Sequence, residues 1–208
     1  MRTEFPSQLC EFTCYSALTK GESVYRSGEL ANGFFYVESG LIGLYKTSIN
    51  GKENLLRVYD SGCFFGYRTL FSHQHYYATT RAMLPSRIAT VRVNNVAKLQ
   101  AVTPSLVDKL LLGVCQELGE AESRLANVAS HKAGTRILDA VLYLFREFPE
   151  YPWTNREIGE FSGTETETVI RFCRKLKSEG LFEPVNRRLK PVSLNALQDY
   201  RNKLVSMR

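Results

Sequence analysis

The chain has 208 residues, 44% of them hydrophobic, which is enough to bury one large core or two small ones. Its net charge is +6, and residues 131–208 hold 14 Lys and Arg against 10 Asp and Glu, so most of the excess lies in the C-terminal third. This balance favours a polyanionic partner. Arg2, Glu4, Pro6 and Glu11 interrupt the N-terminus and no long apolar run follows, so we predict neither a secretory signal nor a membrane span. We expect a cytoplasmic protein with no membrane partner.

The cysteines form no recognisable pattern. Their number is odd and they are scattered, so we predict reduced thiols without disulfides. An iron–sulfur cluster at Cys10 and Cys14 is an alternative, but such a cluster needs about four thiolates and no further pair is evident. We predict no metal and no cofactor. The five cysteines are Cys10, Cys14, Cys63, Cys115 and Cys173.

Residues 1–20 predict a short helical lead-in, and residues 21–93 predict an all-β domain. Eight of the 14 glycines lie between Gly21 and Gly66, separated by short runs rich in Phe, Tyr, Val, Ile and Leu. Asn50-Gly51 is typical of a type I′ hairpin turn, because both residues tolerate a positive φ. The alternating segment at residues 87–93 completes a predicted barrel or roll of short strands.

From Pro104 the hydrophobic period becomes helical. Six apolar residues recur at alternating spacings of three and four, which is a heptad seam. The regular spacing predicts that this long helix pairs with the same helix of a second chain. The alternative is that the helix lies along its own β domain. The seam residues are Leu111, Val114, Leu118, Ala121, Leu125 and Val128.

A polar hinge is predicted at residues 129–134, followed by a helix that ends at Phe148-Pro149. Its apolar face consists of Ile137, Leu138, Val141, Leu142 and Phe145.

Residues 154–183 are typical of two helices joined by a tight turn. Thr154 with Glu157, and Thr164 with Glu167, have the spacing of a capping box, in which the threonine hydroxyl and the glutamate satisfy free N–H groups of the first turn. Gly163 suits the left-handed conformation of a sharp corner. The residues expected to face inward are Ile158, Phe161, Val169, Phe172 and Leu176.

The second helix of this pair presents carboxylate, hydroxyl and guanidinium groups on its outer face, which suits readout of a DNA major groove. An ordinary solvated surface helix is the alternative. Residues 181–194 predict two strands around a basic turn, a wing placed to meet phosphate, and residues 195–208 predict a last short helix. The residues predicted to contact DNA are Thr154, Thr164, Thr166, Glu167, Thr168, Ile170, Arg171, Arg174, Lys175, Arg187 and Arg188.

The whole chain resembles the cyclic-AMP receptor protein/FNR superfamily of bacterial transcription regulators. The β segment is similar to the cyclic-nucleotide-binding roll over GESVYRSGELANGFFYVESGLIGLYK and GKENLLRVYDSGCFFG. The helix pair is similar to the family's helix-turn-helix over TNREIGEFSGTETETVIRFCRKLKSEGL. The resemblance implies an α+β fold in three parts: a cyclic-nucleotide-binding-like β-roll at residues 1–103, a dimerisation helix at 104–130 and a winged helix-turn-helix domain at 131–208.

The resemblance also assigns base-reading residues. The family's glutamate, and the arginine four residues later, fall on Glu167 and Arg171, which implies a TGA-like core in each half-site. Thr166 and Ile170 depart from the residues that commonly precede these two. The resemblance therefore implies the core bases of the family's operator for this chain, but not the outer bases.

The β-roll departs further from the family pattern. In members that bind cyclic AMP, Phe-Gly is followed by a glutamate for the ribose, and a later Arg-Ser or Arg-Ala pair takes the cyclic phosphate. This chain has Tyr67 after Gly66, and Tyr76-Tyr77-Ala78 in place of the arginine pair, so the charge-assisted phosphate contact is missing. We expect no control by cyclic AMP. The residues of the candidate effector pocket are Phe65, Gly66, Tyr67, Arg68, Tyr76, Tyr77 and Arg81.

Three alternatives stay open at this point. The tyrosines either line a pocket for another apolar or aromatic effector, whose identity is unknown, or simply fill the pocket. His73 and His75 are either surface histidines or ligands of a sensed haem. Cys173 is either a redox switch in the reading helix or, as its place beside Phe172 favours, a small buried filler.

The leading hypothesis is a homodimeric, sequence-specific DNA-binding regulator of the Crp/Fnr type, which reads a palindromic operator and contacts RNA polymerase if it activates. The alternative is a signalling module that senses a ligand and binds a protein partner. The sequence has no Gly-rich phosphate loop, GxSxG or HExxH motif, so we do not expect an enzyme.

Overall fold

In the computed structural model, which describes residues 2–72, 75–183 and 189–206, the chain forms two compact units, Met1–Ala121 and Glu122–Arg208. The predicted α+β class, with an N-terminal β-roll, a long helix and a C-terminal helix-turn-helix, is confirmed. Dimerisation and the predicted boundaries at 103/104 and 130/131 stay predictions. No helix in the described ranges has the length and apolar character needed to cross a membrane.

The first unit contains two antiparallel sheets of four strands each. One has the strand order β1-β8-β3-β6 and the other β2-β7-β4-β5, with the strands defined as follows. They are β1 Thr13–Leu18, β2 Ser23–Tyr25, β3 Phe34–Ser39, β4 Leu41–Thr47, β5 Glu53–Asp60, β6 Phe64–Phe65, β7 Thr79–Ala82 and β8 Ser86–Val91.

Pairs of phenylalanines show how one sheet serves two cores. Adjacent residues of a strand point to opposite faces of the sheet. On β3 and β6, Phe35 and Phe65 pack between the two sheets, whereas Phe34 and Phe64 pack on the other face. That second core is completed by the helices α1 Arg68–Ser72, α2 Val96–Val102 and α3 Pro104–Ser130.

The N-terminus differs from the predicted helical lead-in. Only Ser7–Phe12 is helical, as a 3₁₀ helix, and β1 begins at Thr13. β1 lies at the edge of its sheet and pairs with β8, and most of its side chains are exposed. Its sequence therefore lacks the alternation of buried and exposed residues that indicates a strand.

The hairpin between β4 and β5 is present, but its turn begins one residue earlier than predicted. The Gly51 N–H donates to the Ser48 carbonyl at 2.9 Å, which makes Ile49 and Asn50 the central residues. Gly51 has a φ of 80° and follows the turn. A residue in this left-handed conformation is typical of hairpins with three-residue loops.

The second unit contains the end of α3 and the helices α4 Ala133–Glu147, α5 Asn155–Ser162, α6 Thr166–Ser178 and α7 Leu194–Ser206. α4 packs against the other three, and its predicted apolar face is buried. Only His131-Lys132 separates α3 from α4, so the break is shorter than the predicted hinge at 129–134. α7 begins one residue before its predicted start, and residues 207 and 208 lie outside the described ranges.

The base of the predicted wing is described, and its tip is not. Phe182 and Pro191 form a β-bridge, and the Glu183 N–H donates to the Lys190 carbonyl at 3.0 Å. Residues 184–188, which include Arg187 and Arg188, lie outside the described ranges. The predicted phosphate contacts of these two arginines stay predictions.

Candidate functional site

Helix α5 begins at a reciprocal cap. The Thr154 hydroxyl accepts a hydrogen bond from the Glu157 N–H at 3.2 Å, and the Glu157 carboxylate accepts one from the Thr154 N–H at 2.9 Å. This predicted capping box is confirmed. The Tyr151 hydroxyl donates to the same carboxylate and so fixes its position. Thr154 is exposed at the first turn of α5, and its predicted phosphate contact stays a prediction.

The turn between α5 and α6 depends on two glycines. Gly163 takes the left-handed conformation expected of it, with a φ of 64°. Gly159 is not singled out by the sequence pattern, yet a Cβ atom there would lie 2.8 Å from the Thr164 carbonyl oxygen. The chain therefore passes close to α5 only because position 159 has no side chain.

Helix α6 begins differently from the prediction. Its N-cap is Glu165, without a side-chain cap, so the second predicted capping box is wrong. The Thr164 hydroxyl instead accepts a hydrogen bond from the Ser162 hydroxyl at 3.0 Å, and Thr164 is only 7% exposed. Because this hydroxyl pairs inside the turn, the predicted DNA contact of Thr164 has little side-chain surface available.

The outer face of α6 presents the two residues that the resemblance assigns to base reading. Glu167 and Arg171 are exposed and four residues apart, so they lie on one face, one turn from each other. Neither forms an ion pair with another residue of the described ranges. Arg174 and Lys175 are also exposed, whereas the predicted contact residues Thr166, Thr168 and Ile170 are half-buried.

The inner face of α6 fixes the helix in the second unit. The buried residues of α6 are Val169, Cys173 and Leu176. Phe172 is half-buried and packs closely against Gly134 of α4. A Cβ atom added to Gly134 would lie 3.0 Å from the Phe172 ring. Burial raises the pKa of the Cys173 thiol to about 11, so the thiol stays protonated near neutral pH. The structure favours the packing interpretation of Cys173 over the redox switch.

Lys175 lies in the last turn of α6 and forms an ion pair within the helix. Its ammonium lies 3.8 Å from the Glu179 carboxylate. The proximity of Tyr200 of α7, followed by the charge of Glu179, raises the pKa of Lys175 above its ordinary value. The predicted role of Lys175 at DNA stays a prediction.

Most of the predicted seam on α3 lies off the face that packs against the roll, whereas Val114 belongs to both. Leu106, Val107, Leu110 and Gly113 are buried in the first unit, so the helix does lie along its own β domain. The seam, however, stays open along much of the helix. Leu111, Leu118, Leu125 and Val128 are 49%, 58%, 71% and 51% exposed, Ala121 is exposed and Val114 is half-buried.

Within the first unit, two side chains of the roll hold α3. The Tyr67 hydroxyl donates to the Glu117 carboxylate at 3.1 Å, and a Cβ atom at Gly113 would lie 2.8 Å from that hydroxyl. Arg57 donates to the Glu120 carboxylate at 2.6 Å and to the Glu117 carbonyl. The orientation of α3 along the roll is thus fixed by contacts within the chain.

The pocket of the roll is nearly filled by tyrosine rings. The remaining cavity has a volume of about 20 Å³, which is room for roughly one water molecule. The rings of Tyr25 and Tyr76 stack with their centres 3.8 Å apart, and the Tyr76 hydroxyl donates to the Gly33 carbonyl at 2.9 Å. Burial raises the pKa of Tyr76 to about 12. The residues around the cavity are Tyr25, Leu44, Tyr59, Gly66, Tyr67, Arg68, Thr69, Tyr76, Tyr77 and Glu117.

Comparison with known proteins identifies the family. Residues 16–102 match the model of the cyclic nucleotide-binding domain. An uncharacterized protein of Haemophilus influenzae is 31% identical over 109 residues, 52% of this chain and 84% of that protein. The cyclic AMP receptor protein of Thermus thermophilus is 25% identical over 164 residues, 78% of this chain and 76% of that protein. A solved CRP/FNR-family transcriptional regulator from T. thermophilus has a TM-score of 0.76 at 23% identity, covering 90% of this chain and 98% of that one. The chain belongs to the cyclic-AMP receptor protein/FNR superfamily.

In this CRP/FNR protein, two of the predicted pocket residues lie elsewhere. Phe65 is fully buried in the core between the sheets. Arg81 donates to both carboxylate oxygens of Glu53 at 2.9 Å and lies 3.8 Å over the ring of Tyr45. Its guanidinium is therefore already paired, and Arg68 is the arginine that borders the cavity.

Five residues around this CRP/FNR pocket are absent from the predicted set: Tyr25, Leu44, Tyr59, Thr69 and Glu117. Tyr25 and Tyr59 come from β2 and β5, and Glu117 comes from α3. Tyr25 and Glu117 are distant in sequence from Phe65-Gly66, and Tyr59 lies on a separate strand. Only the folded roll and its packing against α3 bring the three together. A Tyr and a Glu at such positions carry no local motif.

The described residues hold no metal-binding cluster that would suggest iron. Residues 2–72, 75–183 and 189–206 bring together no group of three or more His, Cys, Asp or Glu side chains. Cys10, Cys14 and His75 are exposed. His73 lies outside the described ranges.

Proposed function

We propose that this CRP/FNR protein is a homodimeric, sequence-specific DNA-binding transcription regulator that reads a palindromic operator with α6 and is not controlled by cyclic AMP. The observation that carries the proposal is the pair Glu167 and Arg171, which are exposed on one face of a helix fixed by a capped partner helix and a glycine turn. The name of the cyclic AMP receptor protein of T. thermophilus supports the coarser part, a regulator of this family.

Base reading follows from the chemistry of the pair. An arginine donates two hydrogen bonds to O6 and N7 of a guanine, and a glutamate accepts from the amino group of a cytosine. We therefore assign the guanine of each half-site core to Arg171 and a facing cytosine to Glu167. Thr166 is too short for a bidentate contact, so the base pair that it faces is weakly specified.

Phosphate contacts surround these two residues. Arg174 is exposed one turn beyond Ile170, and Thr154 is exposed at the start of α5. With Arg187 and Arg188 of the wing, they set the register on the duplex and the salt dependence of binding, without specifying sequence.

The seam on α3 supplies the two-fold symmetry. Its exposed leucines at heptad spacing suit a parallel pair of helices. An inverted repeat is the operator that such a dimer fits. If the protein activates, RNA polymerase is the further partner.

Cyclic AMP is not accommodated in this arrangement. The nucleotide is far larger than a cavity of about 20 Å³. The arginine that borders the cavity, Arg68, stacks 4.1 Å over the ring of Tyr77 at its edge. Tyr67 stands at the position where cyclic-AMP-binding members have the glutamate for the ribose, and its hydroxyl donates a hydrogen bond to Glu117.

Selection from a pool of random duplexes by the purified full chain tests the proposal. We expect an inverted repeat with a guanine at a fixed position in each half. The same selection with Arg171→Ala should lose the preference at that guanine. A motif without an inverted repeat, or a guanine preference that survives Arg171→Ala, contradicts the assignment of α6. A gel shift with no retained fragment would instead favour a protein-binding signalling module.

A further inference from the structure

Arg124 joins α3 to the end of α5 inside the second unit. Its guanidinium donates to the Phe161 carbonyl at 2.6 Å and lies 4.1 Å over the ring of the same residue. The Phe161 ring in turn stacks on Tyr143 of α4, with the ring centres 5.3 Å apart and the planes within 10°. One arginine therefore contacts both the backbone and the side chain at the last turn of α5.

Arg136 makes a second connection. It donates to the Gly163 carbonyl at 3.3 Å, and on the other side to the carbonyls of His131 at 3.2 Å and Val128 at 3.5 Å. The last four carbonyls of a helix have no partner within the helix, and a cation near them is also favoured by the helix dipole. Arg136 thus bridges the C-terminal end of α3 and the turn of the helix-turn-helix.

These contacts make the last turns of α3 part of the body that carries α6. The residues that form them all lie in the unit Glu122–Arg208. Leu125 and Val128, which are the last two residues of the exposed seam, lie on the same turns of α3. These last two seam residues and the reading helix belong to the same unit, so the separation between them is fixed.

We propose that Arg124 and Arg136 are positioning residues that set the spacing between the two half-sites of the operator. The inference rests on the proposed function and adds a role for two residues that touch no base. One base pair of spacing rotates a half-site by about 35° around the duplex. A dimer therefore tolerates a change in spacing only if the reading helix can move relative to the seam.

The test compares duplexes that differ in spacing alone. The half-site recovered by selection is placed as an inverted repeat at the selected spacing and at one or two base pairs more or less, and a further duplex carries one half-site. The proteins are the full chain, Arg124→Met, which keeps the apolar stem and loses the donors, and Arg124→Lys, which keeps the charge. Arg146→Met is the matched control, because Arg146 is an exposed residue of α4 away from the turn.

We expect the wild-type protein and Arg146→Met to prefer one spacing by about tenfold or more. Arg124→Met should bind the shifted spacings nearly as well as the selected one, with unchanged affinity for the single half-site. Arg124→Lys should lie between the two. Light scattering and the fluorescence of Trp153, the single tryptophan of the chain, check that each variant is dimeric and folded.

Two outcomes overturn the inference. One is a folded, dimeric Arg124→Met that keeps the wild-type preference for spacing. The other is an equal loss on the single half-site and on every repeat, which would assign the arginine to the integrity of the reading helix. If Arg124→Met does not fold, Arg136→Gln gives the same test. Failure of the proposed function looks different, because the wild-type protein would then select no duplex.

Discussion

The reading helix and the pocket of the roll treat their polar groups in opposite ways. On α6, Glu167 and Arg171 are exposed and form no ion pair within the described ranges. Around the pocket, Tyr67 is bonded to Glu117 and Tyr76 to the Gly33 carbonyl. A surface that binds a partner keeps its polar groups available, whereas a filled pocket satisfies them internally. Membership of the superfamily gives both regions their fold, and the side chains decide separately what each region binds.

The largest expected effect is on the dimer, because the proposed reading of DNA by α6 requires two copies of the chain. Leu118→Glu places like charges across the proposed two-fold axis, which costs several kcal/mol, so we expect monomers that lose operator binding. Leu112→Glu is the matched control, because Leu112 is 53% exposed on the same helix but lies off the seam. Light scattering and a gel shift measure both properties. A dimeric Leu118→Glu shows that the seam is not the interface.

Substitution of two exposed arginines of α6, Arg171 and Arg174, separates base reading from phosphate contact. Arg171→Ala should cost ~1–3 kcal/mol on the selected operator and flatten discrimination at one guanine. Arg174→Ala, the predicted phosphate contact, should weaken all duplexes about equally and reduce the salt dependence. Fluorescence anisotropy with matched and substituted duplexes at two salt concentrations separates these outcomes. If Arg174→Ala instead loses discrimination between bases, Arg174 reads the guanine and the assignment of that role to Arg171 is wrong.

Substitutions at Gly159 and Gly163 test the turn between α5 and α6, which fixes the position of α6. Gly159→Ala should destabilise the second unit by ~1–3 kcal/mol, because the new methyl group meets the Thr164 carbonyl. Gly163→Ala meets no atom but takes an unfavourable φ, so it should cost ~1–2 kcal/mol, and Gly163→Asn should recover part of that loss. Urea unfolding followed by Trp153 fluorescence measures all three. Wild-type stability in Gly159→Ala would mean that α5 and the turn are not in close contact.

The smallest expected effect concerns the filled pocket. Calorimetry with millimolar cyclic AMP should show no saturable heat, because Tyr25 and Tyr76 occupy the space and Arg81 is paired with Glu53. A dissociation constant in the micromolar range would require these rings to move. It would also end the contrast between an available reading helix and an occupied pocket.

The sequence predicts most of the fold because its strongest patterns are local. The Thr154 capping box, the Gly163 corner and the spacing of Glu167 and Arg171 each lie within a few residues, and each is present in the structure. The second capping box fails because Thr164 finds a partner in the buried hydroxyl of Ser162.

What the sequence could not predict depends on distant residues. β1 is recognisable as a strand only through its pairing with β8, since its own side chains are mostly exposed. Tyr25, Tyr59 and Glu117 reach the pocket from three different elements. Arg124 and Arg136 have no motif at all, because each contacts backbone carbonyls, which every residue possesses.

The stacked tyrosines also constrain how the pocket can change over evolutionary time. Removing one buried ring at a time leaves a void, and losses of this kind cost ~3–5 kcal/mol, a large part of the stability of a small protein. Tyr25 and Tyr76 stack on each other, and the Tyr67 hydroxyl forms a hydrogen bond with Glu117 of α3. A single substitution therefore also leaves a neighbouring residue without its contact. A lineage that gained a nucleotide site here would have to pass through poorly folded ancestors or change several rings together. The pocket is therefore more resistant to new ligand specificity than the exposed face of α6, where each side chain can be exchanged alone.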